Sequence, residues 1–134
     1  MTAQVEKIIV ITHEDRADTR LVEEFAAARG LDIHVVRPYR GDELPPLDDS
    51  AALICLGGPM AAYDDLPFIV DEKAHLMQAV RSDRPVLGIC LGSQLLADAL
   101  GGTVMRGHLG PECGYIDVRR ADDGDSDFEG TMIF

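Results

Sequence analysis

The sequence predicts a three-layer α/β fold: a mostly parallel central sheet with helices on both faces. Three observations carry that expectation. Short apolar or β-branched runs alternate with stretches of helical period from residue 7 to residue 100. Two of those runs, 51–56 (AALICL) and 85–89 (PVLGI), show no polar alternation, as strands covered on both faces do not. Each leads into a glycine-bearing turn and then a helical pattern.

Taken in order, residues 7–12 hold Ile8, Ile9, Val10 and Ile11 and read as a buried strand. Residues 16–29 read as a helix with Leu21, Val22, Phe25 and Ala26 on one stripe and Gly30 as its C-cap. Residues 32–36 are a second strand. Residues 37–50, with Pro45, Pro46 and six charged side chains, form a surface loop. Residues 51–56 are the third strand, which runs into Gly57-Gly58-Pro59. Asp64 or Asp65 is placed to cap a helix with Pro67 in its first turn. That helix runs to Arg81 and points Ile69, Leu76, Met77 and Val80 inward. Residues 85–89 are the fourth strand, and 92–100 a helix ended by Gly101-Gly102. Residues 103–106 and 113–118 read as two further short strands.

The 134 residues are expected to form a single domain with a core large enough to need no staples. Twelve basic against 24 acidic residues leave a net charge of −12, the wrong sign for a nucleic-acid or anionic-membrane surface. No apolar run reaches the ~20 residues of a membrane helix, and the N-terminus lacks a signal-peptide core. Three cysteines without paired spacing argue against a disulfide framework and a Cys-based zinc site. No metal or cofactor is therefore expected, and a reducing cytoplasm is the natural compartment.

In parallel sheets, sites form at the carboxyl ends of the strands. The fourth strand ends in Gly88-Ile89-Cys90-Leu91-Gly92, the cysteine version of a strand–turn–helix nucleophile elbow. The turn is too tight for side chains at Gly88 and Gly92. Cys90 itself is expected in a strained conformation that lifts its thiol out of the sheet. At a helix N-terminus, the dipole and free amides favour an anion there. The Leu91 amide would point where a tetrahedral oxyanion forms, and Gly57-Gly58-Pro59-Met60 could supply the second donor. Cys55 reads as a buried strand residue. None of His13, His34, His75 and His108 is assigned a catalytic role; each reads as a solvated or core-satisfied ring. Near the end, Asp123, Asp125 and Asp127 have the 1-3-5 spacing of a calcium loop. Phe128 and Phe134 stand where that loop needs Gly and Glu, so the run reads as solvated charge.

The segment from Pro85 through Leu96, with Cys90 and Gln94 in it, resembles the nucleophile signature of the class I glutamine amidotransferases. Leu56-Gly57-Gly58-Pro59-Met60 is similar to that family's oxyanion strand. Asp65-Leu66-Pro67-Phe68 and Pro111-Glu112-Cys113-Gly114-Tyr115 are similar to a subset of its stand-alone members. The resemblance spans residues 7–118 and implies a flavodoxin-like fold. It also implies that Cys90 attacks the side-chain amide of L-glutamine and forms a γ-glutamyl thioester, releasing ammonia. Gly58 and Leu91 would supply oxyanion amides, and Gln94 would lie near bound glutamine. Glu112 matches a family glutamate with no role assigned. The ammonia would go to water or to an acceptor on a synthetase partner.

The family's histidine and carboxylate come from a His-x-Glu segment after the elbow, which this sequence lacks. The expectation is therefore a C-terminally truncated domain whose exposed apolar surface favours self-association. The alternative is a non-catalytic binding or regulatory module that keeps the pocket. A flavodoxin-like nucleotide reader is disfavoured, because His13-Glu14-Asp15 after the first strand would repel phosphate.

Overall fold

Four short strands build a parallel sheet: β1 (Lys7–Ile11), β2 (Asp32–Val36), β3 (Ala51–Cys55) and β4 (Val86–Gly88). Their order is β2-β1-β3-β4, with Ile9 opposite both His34 and Leu53, and Cys55 opposite Gly88. The computed structural model describes residues 4–48, 51–118 and 130–133. Strand alternation sorts the core into two layers. Ile9, Ile11, Leu53 and Cys55 pack under α2 (Pro67–Arg81) and α3 (Leu91–Ala99). Ile8 and Val10 pack on the opposite face under α1 (Arg20–Arg29), chiefly through Ala26. β1 is central and leads to α1 on one face, while β3 leads to α2 on the other. The gap between the carboxyl ends of β1 and β3 is thus the topological switch point, where ligands gather in such sheets.

The strands lie within a residue or two of where their β-branched runs put them. The helices differ more. α1 starts at Arg20, four residues later than expected, and Leu21 and Phe25 are exposed rather than inward. No described helix other than α1 covers its face of the sheet, and α1 sits over β1 and β2. The same face of β3 and β4 is left as an apolar groove of about 470 Å³, lined by Ile8, Phe25, Ile54, Val86 and Leu87 among others.

α2 has its expected span, but neither Asp64 nor Asp65 caps it. Leu66 is its N-cap, without a side-chain bond. Asp64 instead accepts from the Ala61 N–H at 2.8 Å, closing the turn before the helix. The buried stripe of α2 is Ile69, Glu72, Leu76 and Ala79, with Met77 and Val80 only half-buried.

Residues 103–106 are not a strand, because β4 is an edge and nothing described pairs with it beyond β3. The chain packs as two compact units, Met1–Val104 and Met105–Phe134. Within the second, β5 (Tyr115–Val118) pairs antiparallel with β6 (Gly130–Ile133), which the sequence did not announce. The Asp123, Asp125 and Asp127 run lies outside the described residues. No described helix is long and apolar enough to cross a membrane.

Candidate active site

The elbow after β4 is built by close backbone contact. The Ile89 N–H donates to the Cys55 carbonyl at 2.9 Å, and the Gly92 N–H returns to the Ile89 carbonyl at 3.0 Å. A Cβ on Gly92 would lie 2.0 Å from the Cys55 carbonyl oxygen. One on Gly88 would lie 2.7 Å from the Gly92 carbonyl and the Ser93 nitrogen. Only glycine fits at either position. Between them Cys90 takes φ 55° and ψ −116° as the N-cap of α3. That combination lies outside the left-handed well that non-glycine residues can occupy, a conformation that costs about 1–3 kcal/mol. The turn is held by the Ser93 hydroxyl and the Gln94 N–H, which donate to the Cys90 carbonyl at 2.7 and 3.1 Å. Cys90 is exposed, while the next residue, Leu91, is buried in the core.

The turn after β3 lies against this elbow. An added Cβ on Gly57 would sit 3.3 Å from Cys90 Cβ and 3.7 Å from its Sγ. One on Gly58 would sit 2.4 Å from His13 Cβ and 3.2 Å from Leu91 Cδ2. The two glycine-bearing turns, the residue after the cysteine and the residue after β1 therefore converge at one sheet end. Neither the Gly58 N–H nor the Leu91 N–H has an acceptor among the described residues. Gln94 sits on the first turn of α3 with its side chain exposed. Glu112 and Cys113 are exposed in the second unit.

Beneath the turns lies a cluster that the sequence reading missed. His13, Cys55 and Glu72 are each at most 1% exposed. The His13 Nδ1–H donates to the Gly57 carbonyl at 3.2 Å, and Nε2 lies 2.9 and 3.0 Å from the two Glu72 oxygens. The Cys55 thiol donates to Glu72 Oε1 at 2.9 Å. The donor atoms of the three residues lie within 4.8 Å of one another, a spacing a cation would accept. Glu72 is already satisfied by the N–H and S–H, so the cluster stands as a closed hydrogen-bonded triad.

Burial works to lower the His13 pKa. The hydrogen bond and charge of Glu72, with the Gly57 and Leu56 carbonyls, outweigh it and hold the pKa above its ordinary value. Burial first, then the Glu72 charge, pushes the Cys55 thiol far up, so it stays protonated and inert. His75, one turn along α2 from Glu72, has its pKa lowered by burial, and its Nε2 has no partner. Among the described residues, no histidine nitrogen is hydrogen-bonded to Cys90 Sγ. The sequence signal for Glu72 was its place between Ile69 and Leu76 on the apolar stripe.

A parallel sheet whose edge strand turns into a helix through a positive-φ cysteine, beside a second glycine turn with free amides, defines the cysteine-elbow class of α/β proteins. The chain belongs to the class I glutamine amidotransferase family, whose model matches residues 10–131. It is 37% identical over 105 residues to YfeJ, a glutamine amidotransferase-like protein of Salmonella typhimurium, covering 73% of this chain and 44% of the relative. It is 37% identical over 90 residues to one subunit of the glutamine-hydrolysing GMP synthase of Halobacterium salinarum, covering 66% of this chain and 43% of that subunit. Among solved structures, a glutamine amidotransferase of Methylobacillus flagellatus superposes with a TM-score of 0.76 at 33% identity, covering 84% of this chain and 45% of that one. Another from Thermotoga maritima superposes with a TM-score of 0.81 at 28% identity, covering 94% and 57%. The flavodoxin-like α/β fold is shared with these neighbours. The chain spans less than half the length of YfeJ and of the Halobacterium GMP synthase subunit.

Proposed function

We propose that these 134 residues supply the nucleophile and oxyanion portions of one glutaminase domain, with Cys90 as the attacking residue. The observation that carries this is the pairing of an exposed cysteine at φ 55° with two backbone N–H groups, Gly58 and Leu91, that lack acceptors among the described residues. The Cys90 sulfur, as thiolate, attacks the side-chain amide carbon of L-glutamine. Negative charge develops on the amide oxygen, where the two N–H groups and the N-terminus of α3 stabilise it. Collapse of the tetrahedral species breaks the C–N bond as its nitrogen takes up the proton the thiol gave to solvent, so that ammonia leaves and a γ-glutamyl thioester remains. Water then adds to the thioester, releasing glutamate and the Cys90 thiol. Gln94 stands one turn along α3 from Cys90 and serves as a contact for bound glutamine. The ammonia acceptor would sit on a synthetase partner, a reading supported by the relatives named as glutamine-hydrolysing GMP synthase.

One observation favours a second reading for this chain on its own. The described histidines leave Cys90 without a hydrogen-bonded base, and His13, under the neighbouring turn, is committed to Gly57 and Glu72. A chain without a base would bind glutamine, or be acylated by it, without turning over. Incubating the full chain with L-glutamine separates these outcomes. Ammonia release abolished by Cys90→Ala supports the glutaminase reading. A γ-glutamyl adduct on Cys90 without continuing ammonia release supports the binding reading. Neither ammonia nor adduct would refute the assignment of Cys90.

A further inference from the structure

His13 stands two residues after β1, at the switch point of the sheet, with its ring on the Gly57 carbonyl of the β3 turn. It has a bond on each side of its ring. Both partners, the Gly57 carbonyl at Nδ1 and the Glu72 carboxylate at Nε2, can only accept, so the ring satisfies them together as the doubly protonated imidazolium, with Nδ1–H on Gly57 and Nε2–H on Glu72. The Nε2 side is held by both oxygens of a fully buried carboxylate, which fixes the ring plane. Close packing adds a second constraint, since a Cβ on Gly58 would meet His13 Cβ at 2.4 Å. Gly58 is therefore seated directly against the histidine.

The chain has no cis peptide bond among the described residues, so the Gly57 carbonyl and the Gly58 N–H lie in one plane and point in opposite directions. Fixing the carbonyl fixes the N–H. A half-turn of that peptide would exchange the two and present an oxygen to any developing anion. Two glycines in a row offer little steric resistance to such a turn. Something other than side-chain bulk must set the orientation, and the His13 bond is the described contact that does so.

We propose that His13 is a positioning residue: its Nδ1–H, braced by Glu72, locks the Gly57–Gly58 peptide so that the Gly58 N–H rather than the Gly57 oxygen is presented beside Cys90. This rests on the reading of Cys90 as nucleophile and Gly58 as oxyanion donor. It adds that the donor is set from the buried side of the sheet by a residue that never meets substrate.

The test uses the full chain and two reagents, with the rate of Cys90 modification followed by mass spectrometry. One is a chloroketone analogue of glutamine, in which the Cys90 thiolate displaces chloride while the ketone oxygen draws on the oxyanion donors. The other is iodoacetamide, which needs no such support. His13→Asn places an amide near the Nδ1 position and keeps a donor for Gly57. His13→Gln reaches the Nε2 position, keeping the Glu72 contact and losing Gly57.

The expected result is that His13→Gln slows the chloroketone at least about 10-fold, up to the about 10²–10³ that outright loss of one oxyanion donor causes. His13→Asn should stay within about 3-fold of the unsubstituted chain, and iodoacetamide rates should change less than about 2-fold in both. Equal chloroketone rates in the two variants, or loss in His13→Asn rather than His13→Gln, would overturn the proposal. So would parallel losses with both reagents, which mark a merely structural role. If His13→Gln does not fold, the double variant His13→Leu/Glu72→Leu removes the buried pair together and is held to the same expectation. An unsubstituted chain that shows no preference for the glutamine-shaped chloroketone over one lacking the glutamine backbone would instead refute the reading of Cys90, and this inference with it.

Discussion

Cys55 and Cys90 lie at the ends of neighbouring strands, and the backbone of Cys55 forms part of the floor under the Cys90 turn. Their surroundings are nonetheless opposite. Cys55 is at the last position of β3, fully buried, and its thiol donates to Glu72. Cys90 is exposed at positive φ on a helix N-terminus, and its sulfur lies against a glycine. The residue type is the same, so the difference in chemistry comes from backbone placement and from what each sulfur faces. Burial and a carboxylate in the interior hold the Cys55 thiol protonated. The contrast can be probed at the supports of each cysteine separately.

The surroundings of Cys55 rest on Glu72. Glu72→Ala leaves His13 and the Cys55 thiol buried without their shared acceptor. Unfolding free energy should fall by about 3–5 kcal/mol, the cost of orphaning a buried charge partner, read as a drop in urea midpoint at neutral pH. The surroundings of Cys90 rest on glycine. Gly92→Ala drives a Cβ to 2.0 Å from the Cys55 carbonyl oxygen, a backbone atom that cannot swing away. A loss of about 3 kcal/mol is expected, at the upper end of overpacking. A urea midpoint within experimental error of the parent would contradict the close-packed elbow.

The strain at Cys90 predicts a gain. Cys90→Gly removes the side chain from an unfavourable φ/ψ region and should raise stability by about 1 kcal/mol net of glycine's chain entropy. A lowered midpoint would mean that the turn is not strained.

The smallest effect is the pH dependence. The folded pKa of His13 lies above its unfolded value of about 6.5, so the folded state binds the proton more tightly. Its contribution is complete below pH 6.5 and fades as pH rises through the folded value. His75 has the opposite sign. Its folded pKa lies below 6.5, so its contribution holds above that pH and fades as pH falls through the folded value. Urea midpoints across this range should decline less on the alkaline side in His13→Asn and less on the acid side in His75→Gln. Unchanged slopes in both would contradict these assignments.

Much of this was legible in the residues themselves. The β1 run of Ile8 to Ile11 and the uniform apolarity of β3 mark buried strands, because burial on both faces removes alternation. The elbow was legible because two glycines flank Cys90 at a fixed spacing that only a tight turn requires. Glu72 was legible only as an acid on the apolar stripe of its helix, not as the partner of a histidine. Asp71 and Glu72 are adjacent acids on one helix, and only the packed structure shows that one faces water while the other faces His13, 59 positions away. The expected Leu21–Phe25 stripe failed for a related reason. An apolar periodicity states that a face wants cover, and the described residues supply that cover only where α1 meets β1 and β2. β6 escaped notice because four residues beyond a run of carboxylates carry too little pattern.

The assignment of Cys90 as the family nucleophile is tested by labelling the native chain with the glutamine-shaped chloroketone, with and without excess L-glutamine, and mapping the modified cysteine. Modification of Cys90 alone, slowed by glutamine, is the predicted result, with Cys55 untouched until the chain is unfolded and Cys113 modified no faster than a free exposed thiol. Modification of Cys113 at the same rate as Cys90, or a Cys90 rate indifferent to glutamine, would contradict it.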